Sequence, residues 1–349
     1  MTNLRLRSLF PVAALGLAGL LPSGMSAVTV SSAPFGVLSA DTPVGLTGIS
    51  LPLIADEVFT GRVVSNNAST VTFDAVTGGI GSRLTAGDSY YLEIVSGPLE
   101  GERFDLNTAA TVASADASVT VDLSDTSFST SHTVGANVLA QARAVVRPHQ
   151  TLAKLATTFT PALVGNNNAA LADGVRLMTP NGIVFYYLRG DGLSWREPGK
   201  TTDLRSMVIP PDVSVIVQLR SGAKKWTHTG LVRRNAFRKN LVNGLQGFAT
   251  GFPIDLSPVQ VGAFVDSAQP AGARWTGSDD ASAADSFKVF NASISDFDSY
   301  SLAGDGATWT LGGGSGNFAS SPILKAPSMV VVSRTNPDPA YVIITPFAP

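Results

Sequence analysis

Apolar residues in this chain fall in short runs bounded by glycine, proline, asparagine, aspartate or serine. The runs at 71–73, 89–95, 118–123, 183–188, 213–219, 329–332 and 341–344 are rich in Val, Ile, Tyr or Phe, which predicts strands joined by turns. Within 118–123, Val119, Val121 and Leu123 share one face and Ser118, Thr120 and Asp122 the other, the period of a half-buried strand. The segment 90–95 is apolar or aromatic except for Glu93; a Gly/Pro-rich turn follows, and 103–106 returns as the partner of a β-hairpin with a longer loop. Helical periodicity is confined to 151–157 and to 256–265, the latter opened by Ser257-Pro258 in the manner of a cap followed by proline. The pattern predicts an all-β fold of antiparallel sandwich or barrel-like modules with one or two short helices.

The strand pattern also repeats. At a constant offset of 114 residues, 12 of the 35 positions in 186–220 are identical to those in 300–334. The matches include Tyr186/Tyr300, Gly190-Asp191-Gly192 and Gly304-Asp305-Gly306, Trp195/Trp309, Ile209/Ile323, Val217/Val331 and Arg220/Arg334. Self-similarity of this kind predicts a C-terminal duplicated β-module. Ala172-Asp173 and Ala284-Asp285 match at 112, so the second copy carries two extra residues before its Tyr300 strand. The expected organisation is a signal peptide at 1–27, a β-domain at 28–146, a connector at 147–171, module copy 1 at 172–268, a polar linker at 269–283 and copy 2 at 284–349.

Composition and charge narrow the class. Arg5 and Arg7 precede an apolar stretch at 9–21, and Met25-Ser26-Ala27 offers a small residue for cleavage, the layout of a secretory signal. The stretch is shorter than the roughly 20 residues that span a bilayer. Without Arg5 and Arg7 the 24 basic side chains fall to 22 against 26 acidic ones, which gives no basic field for nucleic acid. With no cysteine, disulfides, thiolate metal sites and cysteine nucleophiles are excluded together. The expected location is the periplasm, the cell envelope or the exterior.

The segments YYLEIVSGPLEGERFDL (90–106), DTPVGLTGISLP (41–52) and NLVNGLQGFATGFPIDLS (240–257), with the Ala-Asp, Gly-Asp-Gly and Trp module, carry a resemblance. Together they resemble a family of signal-bearing bacterial proteins of about this size, known mainly from the Verrucomicrobia. The resemblance implies export and β-structure. The family has no established activity, so it transfers no functional residue.

Candidate chemistry is sparse. Asp-Gly within each Gly-Asp-Gly is a hairpin-turn signal, a type I′ turn needing positive φ at both central residues; the alternative is a calcium or sugar contact by Asp191 and Asp305. Trp195 and Trp309 are core anchors of the modules or, alternatively, stacking platforms for a glycan. Arg220 and Arg334 read as strand ends. The one basic segment, 224–239 (KKWTHTGLVRRNAFRK), places Lys224, Lys225, Trp226, His228, Arg233 and Arg234 as a candidate contact for an acidic glycan or another envelope component, with a solvated rim as the plainer reading. No catalytic residue, metal ligand set or cofactor fingerprint is assigned. The three histidines, His132, His149 and His228, lack metal spacing, and Ser315 sits in a glycine-rich loop rather than in GxSxG. Paired carboxylates for glycoside hydrolysis could be drawn from Glu93, Glu100, Glu102, Asp296 or Asp298 only if the fold brings two together. The functional expectation is an exported non-catalytic structural, adhesive or glycan-binding protein, self-association being one mode. A secreted carbohydrate-active enzyme and an outer-membrane β-barrel are the alternatives.

Overall fold

The computed structural model describes residues 34–344 except 75, 115, 123–134, 180–181, 212, 270–273 and 337–339. The signal expected at 1–27, His132 and part of the linker expected at 269–283 lie outside the described residues. What is described is almost entirely antiparallel β-structure with two short α-helices.

Three bodies can be traced. The first is a closed six-stranded barrel, in the order Arg103–Asp105, Tyr90–Ser96, Arg143–Pro148, Phe59–Asn66, Thr70–Phe73 and Ser118–Thr120. A bridge between Leu106 and Val121, with Asn107 N–H on Thr120 O and Asp122 N–H on Asp105 O, joins the two ends. Its interior is filled by Phe59, Val63, Leu92, Phe104, Val119 and Val146, so the barrel is a packed core and not a channel.

The other two bodies are sandwiches. In the first, the sheet Trp195–Arg196, Gly182–Leu188, Gly174–Thr179, Val215–Leu219, Gly45–Ile49 faces a smaller sheet of Phe35–Thr42, Lys224–Leu231 and Phe159–Thr160. In the second, the sheet Trp309–Leu311, Asp296–Leu302, Ser286–Asn291, Val330–Arg334, Gly244–Phe248 faces the pair Phe237–Leu241 and Ala340–Ile344. Trp195 and Trp226 fill the first core, Trp309, Phe237 and Phe287 the second, all fully buried.

Strand pairing cuts across the boundaries expected from sequence order. Phe35–Thr42 and Gly45–Ile49, assigned to the 28–146 domain, pair with Lys224–Leu231 and Val215–Leu219. The 147–171 connector supplies Gln150–Thr151, the Thr151-capped helix Leu152–Ala156 and Phe159–Thr160 to the first sandwich. Phe237–Leu241 and Gly244–Phe248, assigned to copy 1, belong to the second sandwich. The cause is topological: the barrel interrupts the first sandwich between Gly45–Ile49 and Gln150, so neighbours in space are far apart in sequence. The stretch 256–265 forms hydrogen-bonded turns capped by Ser257 rather than a helix. The second helix is Thr108–Ala113, capped by Asn107.

The two five-stranded sheets pack on each other through Ile216, Phe290, Met329 and Val331. Glycine permits the approach. A Cβ on Gly48 would lie 2.5 Å from Met329 Cβ and 2.9 Å from Phe290 Cβ, while Gly247 lies over Val213 and Ser214. Ser214 Oγ donates to Phe248 O at 2.6 Å across the same seam.

Candidate functional site

The residues singled out by sequence fall into three places. The Gly-Asp-Gly segments are exposed hairpin loops. Asp191 accepts from the N–H groups of Leu193 and Ser194 and from Ser194 Oγ. Asp305 does the same with Ala307, Thr308 and Thr308 Oγ1. Positive φ is found at Gly192 (69°) and Gly306 (70°), not at both central residues, so these are not the type I′ turns expected. The hydroxyl and backbone donors hold Asp191 well below the usual carboxylate range and lower Asp305, and each of these bonds uses acceptor capacity that a ligand would need. Trp195 and Trp309 are fully buried, and Trp309 Nε1 donates to Ala263 O at 2.8 Å, so neither is a stacking platform.

The second place is a buried aspartate in each sandwich. Asp173 Oδ1 accepts from the N–H groups of Arg220 (2.7 Å) and Ser221 (3.2 Å), and its Oδ2 from Val164 N–H and Ser221 Oγ, both at 2.8 Å, with Lys224 Nζ at 3.5 Å. Asp285 takes Thr335 N–H (2.7 Å) and Oγ1 (3.0 Å) and Thr276 N–H (2.9 Å), with Arg334 Nε at 3.7 Å. Burial pushes the Asp173 carboxyl up, but the donors around it outweigh burial and leave it below its ordinary value.

This geometry corrects the pairing of Arg220 with Arg334. Arg220 is exposed just past its strand, whereas Arg334 is 1% exposed and is the last residue of its strand. Gln218 lies opposite Gly174, and Ser333 opposite Ser286, which aligns Arg334 with Leu219 and Thr335 with Arg220. The 114-residue offset holds through Trp195/Trp309 and slips by one before the last strand. Because side chains alternate, that slip puts Val217 in the first core but Val331 at the seam between sheets.

The third place is the basic segment, and here the expectation of a solvated rim fails. Lys224, Trp226, His228 and Arg233 are buried; only Lys225 and Arg234 are exposed. The predicted alternation along the strand is present, but its Trp226/His228 face points inward, with the two rings stacked at 5.8 Å. The six residues therefore do not form one ligand surface.

The segment's partners are the carboxylates considered for glycoside hydrolysis. Glu93, fully buried on a barrel strand, contacts Arg233, accepts from Arg147 Nε at 3.1 Å and from Asn235 Nδ2 at 3.1 Å. Arg147 also bonds Ala55 O (2.6 Å) and Glu57 (3.0 Å). Glu100 Oε1 accepts Ala236 N–H at 2.8 Å, and Glu102 lies 3.6 Å from Arg238. Arg103 and Arg233 both lie over the Phe237 ring, at 4.3 and 5.0 Å. Burial pushes the Arg233 guanidinium down to about 10, still protonated at neutral pH, with the Tyr91 hydroxyl opposing the shift. Asp296 and Asp298 sit instead on a strand of the second sandwich, where Asp298 accepts from Asn291. Two separate candidate sites in the sequence are thus the two halves of one internal ionic seam.

Sequence reasoning missed Asp105 and His149, which face each other at the barrel end, Nε2 to Oδ1 at 2.7 Å, under the Tyr91 ring. They lie 44 residues apart in sequence, and no local motif announces the pair. Among the described residues no group of three or more His, Asp or Glu could hold a metal ion, and no helix is long and apolar enough to cross a membrane. No protein-family model, curated protein or solved structure matches this chain.

Proposed function

We propose that the chain is an exported, non-catalytic structural or adhesive component of the bacterial cell envelope or exterior. The observation that carries this reading is the occupation of Glu93: the most buried carboxylate of the candidate hydrolase set is held by Arg147, Arg233 and Asn235, with no side open to a substrate. A general acid or nucleophile needs a reacting atom within hydrogen-bond reach. The buried tryptophans remove the stacking surfaces that a glycan-binding variant of the reading would use.

On this reading the two sandwiches are copies of one module, the first split by the inserted barrel. In support, both large sheets follow the same strand order, and Asp173 and Asp285 hold equivalent backbone positions. Gly45–Ile49 (GLTGI) and Gly244–Phe248 (GLQGF) occupy equivalent edges. A membrane barrel would need apolar outer faces and strands of about 9–11 residues; here the barrel's large apolar cluster points inward, with Val64 exposed on its outer face, and the longest barrel strand among the described residues has eight.

The test is purified chain from Val28 onward, offered panels of polysaccharides and peptides, with fractionation of cells that express the full sequence. No turnover and recovery outside the cytoplasm are expected. Hydrolysis that disappears in Asp105→Asn or Glu93→Gln overturns the non-catalytic reading.

A further inference from the structure

The smaller sheet of the first sandwich ends at Phe35–Thr42, an edge strand of eight residues with unbroken register against Lys224–Leu231. On that neighbour, Thr227 N–H donates to Thr158 O on the far side, while Val232 N–H just beyond it donates to Pro34 O on the near side. Backbone groups alternate sides along an antiparallel strand, so Gly36, Leu38, Ala40 and Thr42 bond to the neighbour. Phe35, Val37, Ser39 and Asp41 turn their N–H and C=O groups to the open side, where these have no partner among the described residues. The same four side chains form the exposed face, with Phe35 67% and Val37 63% exposed.

Most other edges are short or covered. Gly45–Ile49 is bridged to Ser328, and Ser50 N–H next to it donates to Pro327 O. Phe248 O, at the end of Gly244–Phe248, takes the Ser214 hydroxyl. Phe159–Thr160, Trp195–Arg196 and Trp309–Leu311 are only two or three residues long. Proteins commonly guard a long open edge with lysine, proline or a bulge. Phe35–Thr42 (FGVLSADT) has none of the three, and its one charge, Asp41, stands near its end opposite Lys225.

A strand added here must bring apolar side chains against Phe35 and Val37 and no second acid against Asp41. The same strand turned end for end about Val37 does both. Val37 then faces Val37 of the second copy, and Phe35 faces Ser39 with Val37 on the diagonal. The two Asp41 carboxylates lie about 27 Å apart along the ribbon. Each outward-bonding residue opposes another, which allows about six backbone hydrogen bonds. We infer that Phe35–Thr42 pairs, antiparallel and about a two-fold axis through Val37, with the same strand of a second copy of this chain. A two-fold contact uses up both edges, so assembly stops at the dimer. One ribbon of this length buries less than the roughly 1,200 Å² of a standard interface, which makes the dimer weak and reversible. The pairing supplies a surface for self-association within the proposed structural role, but it depends neither on where the chain resides nor on whether it catalyses.

The experiment is sedimentation velocity of the chain from Val28 onward, over a range of about 5 to 500 µM. A shift from monomer to dimer is expected, with a Kd on the order of 100 µM. Val37→Lys sets like charges face to face, and Ser39→Pro removes an N–H from the open edge while leaving the bonds to Lys224–Leu231 in place. Each is expected to weaken the dimer about tenfold or more while Tm holds. Because the chain has no cysteine, a single introduced thiol reports the contact directly. On mild oxidation Val37→Cys is expected to give a disulfide-linked dimer, and Val64→Cys, exposed on the barrel, to remain monomeric. A chain that stays monomeric to about 500 µM overturns the pairing and leaves the non-catalytic reading untouched. Assembly beyond the dimer, a dimer unchanged in folded Val37→Lys and Ser39→Pro proteins, or equal cross-linking at positions 37 and 64 also overturns it.

Discussion

Glu93 of the barrel and Arg233, in the segment that leads from the first sandwich to the second, are in direct contact with both side chains fully buried. Taking two charges out of water is costly, and their attraction repays it only when further hydrogen bonds complete the site. Arg147 and Asn235 complete it on the Glu93 side. Removing one partner leaves two buried guanidinium groups short of an anion. Glu93→Gln is therefore expected to lower stability by about 3–5 kcal/mol, read as a drop in urea midpoint. Glu57→Gln, whose side chain is 44% exposed, is expected to lose under about 1 kcal/mol. Equal losses in the two variants would show that the buried pair does not hold the bodies together.

Asp173 gives a sharper test through pH. Asn in its place offers a single acceptor where the carboxylate has two, and strands the buried Lys224. Asp173→Asn is expected to cost about 2–4 kcal/mol at neutral pH. The folded carboxyl titrates below its ordinary value of 3.8, so its contribution is complete above pH 3.8 and is lost as pH falls through the folded value. Chemical denaturation at stepped pH should show the gap between wild type and Asp173→Asn closing on the acid side of 3.8. A gap that stays constant down to about pH 2 would place the effect in packing and not in the charge.

How much of this was readable in the chain differs from element to element. The strands were, because Val, Ile and Tyr runs between turn residues depend only on local pattern; 183–188 became Gly182–Leu188 and 213–219 became Val215–Leu219. The module boundaries were not. On the proposed reading of two module copies, a search at constant offset misses the match of Gly45–Ile49 with Gly244–Phe248, because the barrel stretches that offset to 199 residues. The shared Gly-Leu-x-Gly tetrapeptide was the available signal. Arg220 and Arg334 misled for the opposite reason: identity at a fixed offset concealed a one-residue slip that only strand register reveals. The basic segment was misread because its counter-charges, Glu93, Glu100 and Glu102, lie more than 130 residues earlier in the chain.

The seam between the two large sheets rests on the absence of a side chain. Gly48→Ala would put a Cβ within 2.5 Å of Met329 Cβ, closer than two carbons can sit, and neither strand can retreat without shifting its sheet. A loss of about 1–3 kcal/mol is expected. Gly247→Ala meets its nearest atom only at 3.5 Å and is expected to be tolerated within about 0.5 kcal/mol. The pair is self-controlling, since both changes carry the same strand propensity. Thermal unfolding of the two variants side by side decides it, and equal Tm values would mean that the sheets slide freely past one another.

His228 gives the first sandwich a second pH dependence, at higher pH than Asp173 does. Its ring is stacked on Trp226 and bonded to the Leu53 carbonyl in a site that water barely reaches, and burial depresses its pKa from 6.5 against a smaller opposing push from that carbonyl. The unfolded chain therefore takes up the proton first. Stability is complete above about pH 6.5 and falls as the pH drops from there toward the folded value, where the loss levels off. His228→Gln keeps a donor for Leu53 O and does not titrate. Whatever it costs at pH 8, its stability is expected to decline less than that of wild type between pH 7 and 5, measured as urea midpoints at half-unit steps. Parallel curves would mean that the imidazolium is accommodated in the fold as readily as in water, and that burial at this position carries no electrostatic penalty.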